Sequence, residues 1–279
     1  MIPAIKILPD DLQQFTSSGY QLFILLGRHD WQFALLNKEK KILEGLLAFH
    51  CETIISEKNF ESKWEALLAD YPLLNKYYSS VKIVLATPEA ALFPTKEFNG
   101  QEAATILNVL HGEREQVAIK TDFVPEDNLQ IVYRLHSAID KLIGQTYINA
   151  EVKHYYTGEL NAVNKSATEN GFFVNFFSHK FSVMVIKNGL LRLLNLYNYQ
   201  QPEDVLYYLL TLAGEFDCNR QELALTISGM IDERSALYTE LKKYFLNIQW
   251  AEKPGNIHYT EGFEEYPLHY FHSIFSIIS

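Results

Sequence analysis

Cysteine is scarce in this chain of 279 residues, which contains only Cys51 and Cys218. Two isolated cysteines form no metal-type spacing and suit a reducing compartment, so we interpret them as buried free thiols rather than a disulfide. Runs of basic residues are absent as well, and 24 Lys and Arg against 34 Asp and Glu leave a net charge of −10. Because an acidic chain repels phosphate backbones and anionic lipid, we expect no nucleic-acid or membrane-surface role.

Long hydrophobic runs are also missing, and the apolar stretches have the length of strands, so the sequence predicts no membrane span. Its first residues, MIPAIKILPDDLQQF, lack the basic and apolar regions of a signal peptide. We therefore expect a cytoplasmic protein. There is no P-loop, Rossmann glycine pattern, hydrolase elbow or Cys/His nucleophile arrangement, which argues against the enzyme classes that those motifs mark.

Apolar and aromatic residues are abundant instead, at 48% and 14% of the chain. This content is ample for a core and argues against global disorder. The excess of Tyr and Phe fits a strand-rich aromatic core or, alternatively, an interaction surface. Two aromatic segments, residues 196–210 and 267–275, are candidate contact patches for a protein partner, with core packing as the alternative.

Two similar hairpins recur at an interval of 150 residues. The first is LFILLGRHDWQFALL at 22–36 and the second is FFVNFFSHKFSVMVI at 172–186, each with a His in its turn. Alternating apolar residues predict paired strands in both hairpins. The same order of elements surrounds each of them, namely three strands, a helix and a fourth strand, so we predict an internal duplication.

The predicted elements of the two halves follow from this periodicity. In the first half we predict strands at 20–27, 31–37, 42–50 and 81–87, with a helix at 59–70. In the second half we predict strands at 172–178, 180–187, 190–199 and 223–229, with helices at 202–216 and 235–245. The less regular stretch between them has predicted strands at 129–135 and 150–157 and helices at 137–147 and 158–167. We place the boundary near residue 150, which predicts domains 1–150 and 151–279.

A three-stranded meander, a helix and a further strand, occurring twice, resembles the plan of the actin-like superfamily. That superfamily includes actin, hexokinase, DnaK-type chaperones and bacterial pilus-assembly and cell-division proteins. The resemblance implies a mixed α/β fold of two ribonuclease-H-like βββαβα halves, in the actin-like ATPase architecture with a central cleft. In those proteins the cleft holds ATP.

A closer resemblance rests on residues 195–217, 223–245 and 266–276. The most specific part is the Tyr-x-x-Pro-Glu-Asp-x-x-Tyr-Tyr motif from Tyr199 to Tyr208. These segments are similar to a Bacteroidota family without assigned activity, domain of unknown function 3822. This second resemblance supports the fold and implies no function.

Binding of Mg-ATP in the actin-like superfamily requires an Asp-x-Gly-type loop in each hairpin, because glycine lets the phosphates approach and aspartate holds the metal or its waters. In this chain the first hairpin has Leu25, Gly27 and His29 at the corresponding positions, and the second hairpin has Asn175, Phe177 and His179. Gly229 lies in the turn that corresponds to the adenosine-facing turn. Both carboxylates are missing and Phe177 blocks the second loop, so we predict no metal, no cofactor and no enzymatic activity. A shifted register would recruit Asp30, which we interpret as a solvated acid of the turn.

Histidine offers two further candidate sites. His29 and His179 occupy matching turns and could form a paired site across the cleft, but turns also tolerate polar residues without any function. His269 and His272 lie one helical turn apart, as metal ligands can, but a third ligand is lacking and packing of a terminal helix explains them more simply.

Three hypotheses about function follow. The leading one is a pseudo-ATPase scaffold that binds another, unknown protein, because pilus-assembly relatives of this fold bind a peptide. The second is a nucleotide-binding ATPase or kinase-like enzyme with an altered phosphate site, and the third is a binder of another small molecule in the same cleft. Self-association through an exposed edge strand stays open, because homodimers are common.

Overall fold

The computed structural model describes residues 1–9, 15–163 and 168–278, which form a mixed α/β fold. Its strands are β1 Ile5–Ile7, β2 Tyr20–Leu26, β3 Asp30–Asn37, β4 Ile42–His50, β5 Ser80–Leu85, β6 Ala90–Pro94, β7 Val117–Val124, β8 Leu129–His136, β9 Glu151–His154, β10 Asn170–Phe176, β11 Lys180–Lys187, β12 Leu190–Asn198, β13 Ala224–Gly229, β14 Asn247–Trp250 and β15 His258–Tyr259. Its α-helices are α1 Glu57–Asp70, α2 Ala103–His111, α3 Ser137–Thr146, α4 Tyr155–Ala162, α5 Pro202–Glu215, α6 Ala236–Tyr244 and α7 His272–Ile278.

Contacts divide the chain into two compact units. Unit 1 contains Met1–Asn161, Gly255–Phe263 and the C-terminal residues from Ser276, and unit 2 contains Ala162–Pro254 and Glu264–Phe275. Strand β9, which follows residue 150, pairs in parallel with β5 of unit 1. The boundary at residue 150 and the identity of 1–150 and 151–279 as actin-like subdomains stay predictions.

Five strands of the large sheet of unit 1 have the same order as the five strands of the sheet of unit 2. The sheet of unit 1 runs β1-β4-β3-β2-β5-β9, with β15 beside β4, and that of unit 2 runs β12-β11-β10-β13-β14. In both, the meander is antiparallel and the strands after it are parallel to its first strand. Helix α1 precedes β5 as α5 precedes β13, and α3 precedes β9 as α6 precedes β14.

The hydrogen-bond registers of the two hairpins, β2–β3 and β10–β11, agree residue by residue at the interval of 150. Tyr20 pairs with Asn37 in the first hairpin, as Asn170 pairs with Lys187 in the second. The irregularity between β3 and β4 follows Leu35, and that between β11 and β12 follows Val185, again 150 residues later. Bulges are specific local features. Their occurrence at matching positions supports the alignment of the two hairpins, and the equivalent site positions depend on that alignment.

Unit 1 also contains a three-stranded sheet that the sequence did not predict in full. Its order is β6-β8-β7, and the chain enters it after β5 and leaves it before α3. Only β8 and α3 were predicted in this stretch. Strand β7, VAIKTDFV, is exposed at three of its eight positions and buried at only two, so little apolar alternation marks it.

Packing of helices on the sheets explains most of the remaining elements. In unit 1, Trp64 and Phe60 of α1 contact Trp31 of β3, with ring centroids 5.7 and 5.2 Å from that of Trp31. In unit 2, α5 and α6 bury apolar side chains against the sheet. Helix α5 is capped at its N-terminus, where the carboxylate of Asp204 accepts a 3.1 Å hydrogen bond from the backbone N–H of Gln201.

Two predicted elements differ in detail. The strand predicted at 150–157 ends at His154, and α4 begins directly at Tyr155 rather than at residue 158. The last part of the predicted helix at 158–167 lies outside the described residues. In the part of the chain that the structure describes, no helix combines the length and the apolar character that crossing a bilayer requires.

Candidate functional site

The first hairpin places Leu25 in the interior of unit 1. Leu25 lies on β2 between Gln32 of β3 and Val84 of β5, and its side chain is fully buried. Gly27 closes the turn, where its backbone N–H donates to the carbonyl oxygen of Asp30 at 2.8 Å. A buried leucine offers a metal ion no oxygen ligand, so this position does not have the chemistry of the superfamily's aspartate.

Asp30, the alternative acid of this hairpin, is buried and is not the solvated turn residue that its position in the sequence predicted. It begins β3, and its Oδ1 lies 3.5 Å from Nδ1 of His50. The neighbouring His29 is half-buried and its Nδ1 lies 2.8 Å from the carbonyl oxygen of Cys51, so this nitrogen donates. The turn is therefore held by internal contacts of its polar side chains.

The second hairpin repeats the turn with different side chains. The backbone N–H of Phe177 donates to the carbonyl oxygen of Lys180 at 2.8 Å, as Gly27 does to Asp30. The ring of Phe177 is buried, and Nζ of Lys180 lies 4.9 Å from its centroid, within cation–π distance. An aromatic ring thus occupies the position where a glycine would let a phosphate approach the backbone.

Asn175 is the equivalent of Leu25 and forms part of a buried polar network in unit 2. Its Nδ2 donates to Oγ of Ser273 at 2.9 Å, and its Oδ1 accepts from Oγ of Ser228 at 3.0 Å. All three residues are buried. Because the carboxamide both donates and accepts within the protein, it functions here as a structural polar group.

Gly229 ends β13 beside this network. Its φ of +80° is one that residues with a side chain rarely adopt, and a Cβ there would lie 2.7 Å from Oδ1 of Asn175. Asn175, Phe177 and Gly229 therefore belong to one local arrangement in unit 2, as Leu25 and Gly27 do in unit 1. Local crowding of the backbone explains why position 229 is glycine.

The other candidate histidines, His179 and His269, lie in different surroundings. His179 is exposed, and its carbonyl oxygen accepts from the backbone N–H of Tyr199 at 3.1 Å. It belongs to unit 2 and His29 to unit 1, so the paired site stays a prediction. His269 stacks on Trp250 at 4.0 Å and donates from Nε2 to the Ile231 carbonyl oxygen at 2.9 Å. Among the described residues, no three His, Cys, Asp or Glu side chains form a group suited to a metal ion.

A cluster of three arginines around one carboxylate lies beside the first hairpin and was not predicted. Oε2 of Glu89 accepts from Nε of Arg134 at 2.5 Å. Its Oε1 accepts from Nη1 of Arg114 at 2.5 Å and from Nη2 of Arg28 at 3.2 Å. Arg114 also forms an ion pair with Glu57. We refer to these five residues as the arginine cluster.

Arg134 is the structural centre of the arginine cluster. Its side chain is 2% exposed, and its Nη1 donates to the Gly112 carbonyl oxygen at 2.9 Å and to Oδ1 of Asn108 at 3.1 Å. Nη2 donates to the carbonyl oxygen of His111 at 3.2 Å, so the guanidinium satisfies carbonyl groups at the end of α2. Burial, together with repulsion by Arg28 and Arg134, lowers the pKa of the Arg114 guanidinium below its usual value.

Only a weak sequence feature pointed to this cluster. Arg134 interrupts the apolar run of β8, which indicates a buried charge in need of a partner. The partner, Glu89, lies 45 residues earlier, between two strands of different sheets. No local pattern links the two positions, so the cluster becomes visible only in the tertiary structure.

The family of the chain is shown by a family model. The model described as protein of unknown function (DUF3822) matches residues 9–248. The chain belongs to this family. The match confirms the resemblance that residues 195–217 and 223–245 indicated.

Solved structures show that the fold is the actin-like ATPase fold. A Bacteroides thetaiotaomicron protein with this fold and unknown function is 20% identical, with a TM-score of 0.75, over 84% of this chain and 91% of that one. The type IV pilus biogenesis complex PilM-PilN is 9% identical, with a TM-score of 0.58, over 92% of this chain and 96% of that one. Curated proteins give no match. At these identities the likeness shows the fold alone.

Proposed function

We propose that this protein is a pseudo-ATPase, a non-catalytic actin-like scaffold that acts by binding another protein. The observation that carries the proposal is that the carboxamide of Asn175 is already hydrogen-bonded within the protein, to Ser273 and Ser228. The position equivalent to it in the first hairpin, Leu25, is apolar and buried. Neither position offers the carboxylate oxygen that Mg²⁺ prefers in proteins.

Loss of the metal sites bears directly on catalysis. In phosphoryl transfer the metal ion neutralises developing charge on the phosphates, and most of the rate enhancement comes from positioning and electrostatics. A buried leucine, a hydrogen-bonded amide and the ring of Phe177 provide none of this. The matching registers and bulges of the two meanders also support an internal duplication, and neither copy has an acid at this position.

Binding of a protein partner is supported by the fold comparison and by one exposed aromatic residue. PilM-PilN is a complex of two proteins, one with a fold similar to this chain. In the aromatic segment 196–210, Tyr197, Tyr199 and Tyr208 pack against the core of unit 2, whereas Tyr207 is 66% exposed. Core packing thus accounts for most of this segment, and Tyr207 is the residue that we propose to contact a partner.

The cellular setting that we propose is the cytoplasm, since the free thiols Cys51 and Cys218 suit a reducing compartment. A homodimer is compatible with this proposal, because a second copy of the chain is also a protein partner.

Thermal-shift measurements with ATP, ADP and GTP, each with and without Mg²⁺, test the absence of nucleotide binding. We expect no nucleotide to raise the melting temperature, because a ligand that binds the native state stabilises it by mass action. A shift of several degrees with Mg-ATP would contradict the proposal. It would favour the nucleotide-dependent enzyme, for which Gly27 and Gly229 at the two turns are the supporting observation.

Affinity capture from the native host tests the scaffold role. The wild-type chain should recover a stable partner, and Tyr207→Ala should recover less of it. Tyr77→Ala, which changes another largely exposed tyrosine, is the matched control and should recover the wild-type amount. If both variants recover the same amount of partner, Tyr207 is not part of the interface. If the wild-type chain recovers no partner, the scaffold role is contradicted.

A further inference from the structure

The arginine cluster borders a pocket of about 90 Å³ that lies entirely within unit 1. The lining of the pocket includes the five charged residues of the cluster. It also includes apolar residues, among them Ile55, Phe60, Leu135 and Ile139. The pocket therefore offers charge and an apolar wall to the same ligand, as small-molecule sites commonly do.

The charges of the cluster do not balance. Arg28, Arg114 and Arg134 contribute three positive charges, and Glu57 and Glu89 contribute two negative charges, which leaves a surplus of one positive charge. This surplus occurs in a chain whose net charge is −10. Burial and, after it, repulsion by the other two arginines lower the pKa of Arg114, and one further anion would relieve the repulsion.

Arg28 is the guanidinium with donors to spare. Its side chain is 48% exposed, and its one side-chain hydrogen bond among the described residues is the 3.2 Å bond to Glu89. A guanidinium has five N–H donors in a planar fork that matches a carboxylate. Arg134, in contrast, is buried and already donates to Glu89, Asn108 and two backbone carbonyl groups.

We propose that this pocket binds a monocarboxylate with a short apolar chain, with the carboxylate on Arg28 and the chain against Phe60 and Ile139. The single surplus charge favours a monoanion over a phosphate monoester, which carries nearly two charges at neutral pH. The size of the pocket limits the apolar part to a few carbon atoms. The chemistry is shared by free short-chain acids and by the C-terminal residue of an apolar peptide.

Calorimetric titration of the full chain tests the proposal with matched probes. Sodium hexanoate represents the free acid, and acetyl-Ala-Ala-Leu with a free carboxyl group represents the chain end. Hexan-1-ol, hexyl phosphate and the C-terminal amide of the same peptide are the controls without a monocarboxylate. We expect hexanoate, the peptide acid or both to bind, and whichever binds identifies the source of the natural ligand.

Variants then assign the binding to Arg28. Arg28→Gln should weaken the binding of the carboxylate at least about tenfold, because a charge-assisted bidentate contact is lost. Arg28→Lys should restore part of it, since the charge remains but the planar fork does not. Arg220→Gln, which removes an exposed arginine of unit 2, is the matched control and should bind as the wild type does. The melting temperature of each variant verifies that it is folded.

Three results would overturn the proposal: neither acid binds the wild-type chain, hexan-1-ol or hexyl phosphate binds as tightly as hexanoate, or Arg28→Gln binds with unchanged affinity. The proposal does not depend on the scaffold function. Its readout contains no nucleotide and no protein partner, so the two can fail separately.

Discussion

A Cβ atom on Gly229 would lie 2.1 Å from the carbonyl oxygen of Phe176. That distance is far below any van der Waals contact, and the atom it approaches is backbone rather than a flexible side chain. The two residues are neighbours because β13 pairs in parallel with β10, where Gly229 lies beside Phe176. Close approach of the two strands, in addition to the positive φ, therefore demands glycine at this turn.

Gly229→Ala should lower the free energy of unfolding by about 3 kcal/mol or more, because the strands must separate to admit the methyl group. Gly189→Ala is the matched control, since Gly189 also has a positive φ of +69° but nothing within 4 Å of the new atom. Gly189→Ala should lower the free energy of unfolding by only about 1–2 kcal/mol, which is the cost of the left-handed backbone conformation alone. Urea unfolding measures both, and equal costs would contradict the crowding argument.

Asn175→Asp places a carboxyl group at the position that the resemblance to the actin-like superfamily assigns to a metal-binding aspartate. We expect it to destabilise the protein by about 3 kcal/mol, because the amide donor to Ser273 is lost and a charge is buried. We also expect it to confer no stabilisation by Mg-ATP. Asn198→Asp, at an exposed position of β12, is the control and should change stability by less than about 0.5 kcal/mol. Stabilisation of the Asn175→Asp variant by Mg-ATP would show instead that the site lacks only its acid.

Glu89→Gln should lower the free energy of unfolding by about 3–5 kcal/mol, because Arg134 would keep a buried charge without its anionic partner. Glu240→Gln removes the acid of the ion pair with Lys243, whose side chain is 56% exposed, and is the matched control. There the expected loss is less than about 0.5 kcal/mol. Denaturant unfolding distinguishes the two, and a small effect at position 89 would mean that the cluster does not depend on this carboxylate.

His269 should make stability depend on pH in the mildly acidic range. Burial lowers its pKa below the ordinary value of 6.5, so the folded state favours the neutral ring. The contribution of this residue is therefore fully present above pH 6.5 and is lost as the pH falls through the lowered pKa of the folded state. Unfolding free energies between about pH 5 and 7.5 measure the effect.

His269→Gln tests whether His269 causes this loss of stability at acidic pH. Glutamine can still donate to the Ile231 carbonyl oxygen but cannot gain a proton, so this part of the pH dependence should disappear. His258→Gln, at an exposed position, should retain the loss seen in the wild type. An unchanged pH profile in His269→Gln would assign the effect to another group.

Much of the fold could be predicted because local patterns mark it. The meander strands alternate in hydrophobicity, the turns contain Gly and Asn, and α5 begins with Pro202 followed by Glu203 and Asp204. The three-stranded sheet of unit 1 was missed in large part, because only two of the eight residues of β7 are buried and its partner strand β8 follows only after a turn at Pro125. Asp30 was misread as solvated, because burial of a turn residue depends on what packs over it.

By itself the sequence determined the two meanders, their interval of 150 residues and the absence of an acid at Leu25 and Asn175. These features depend on residues that are near one another along the chain, and hydrophobic periodicity and turn-forming residues predict such local structure. Only the tertiary structure decided that Arg28, Arg114 and Arg134 converge on Glu89, because they come from separate segments 25 to 61 residues away from it. The pocket beside them exists because distant apolar surfaces are buried together, and no local preference specifies which charges that burial brings into contact.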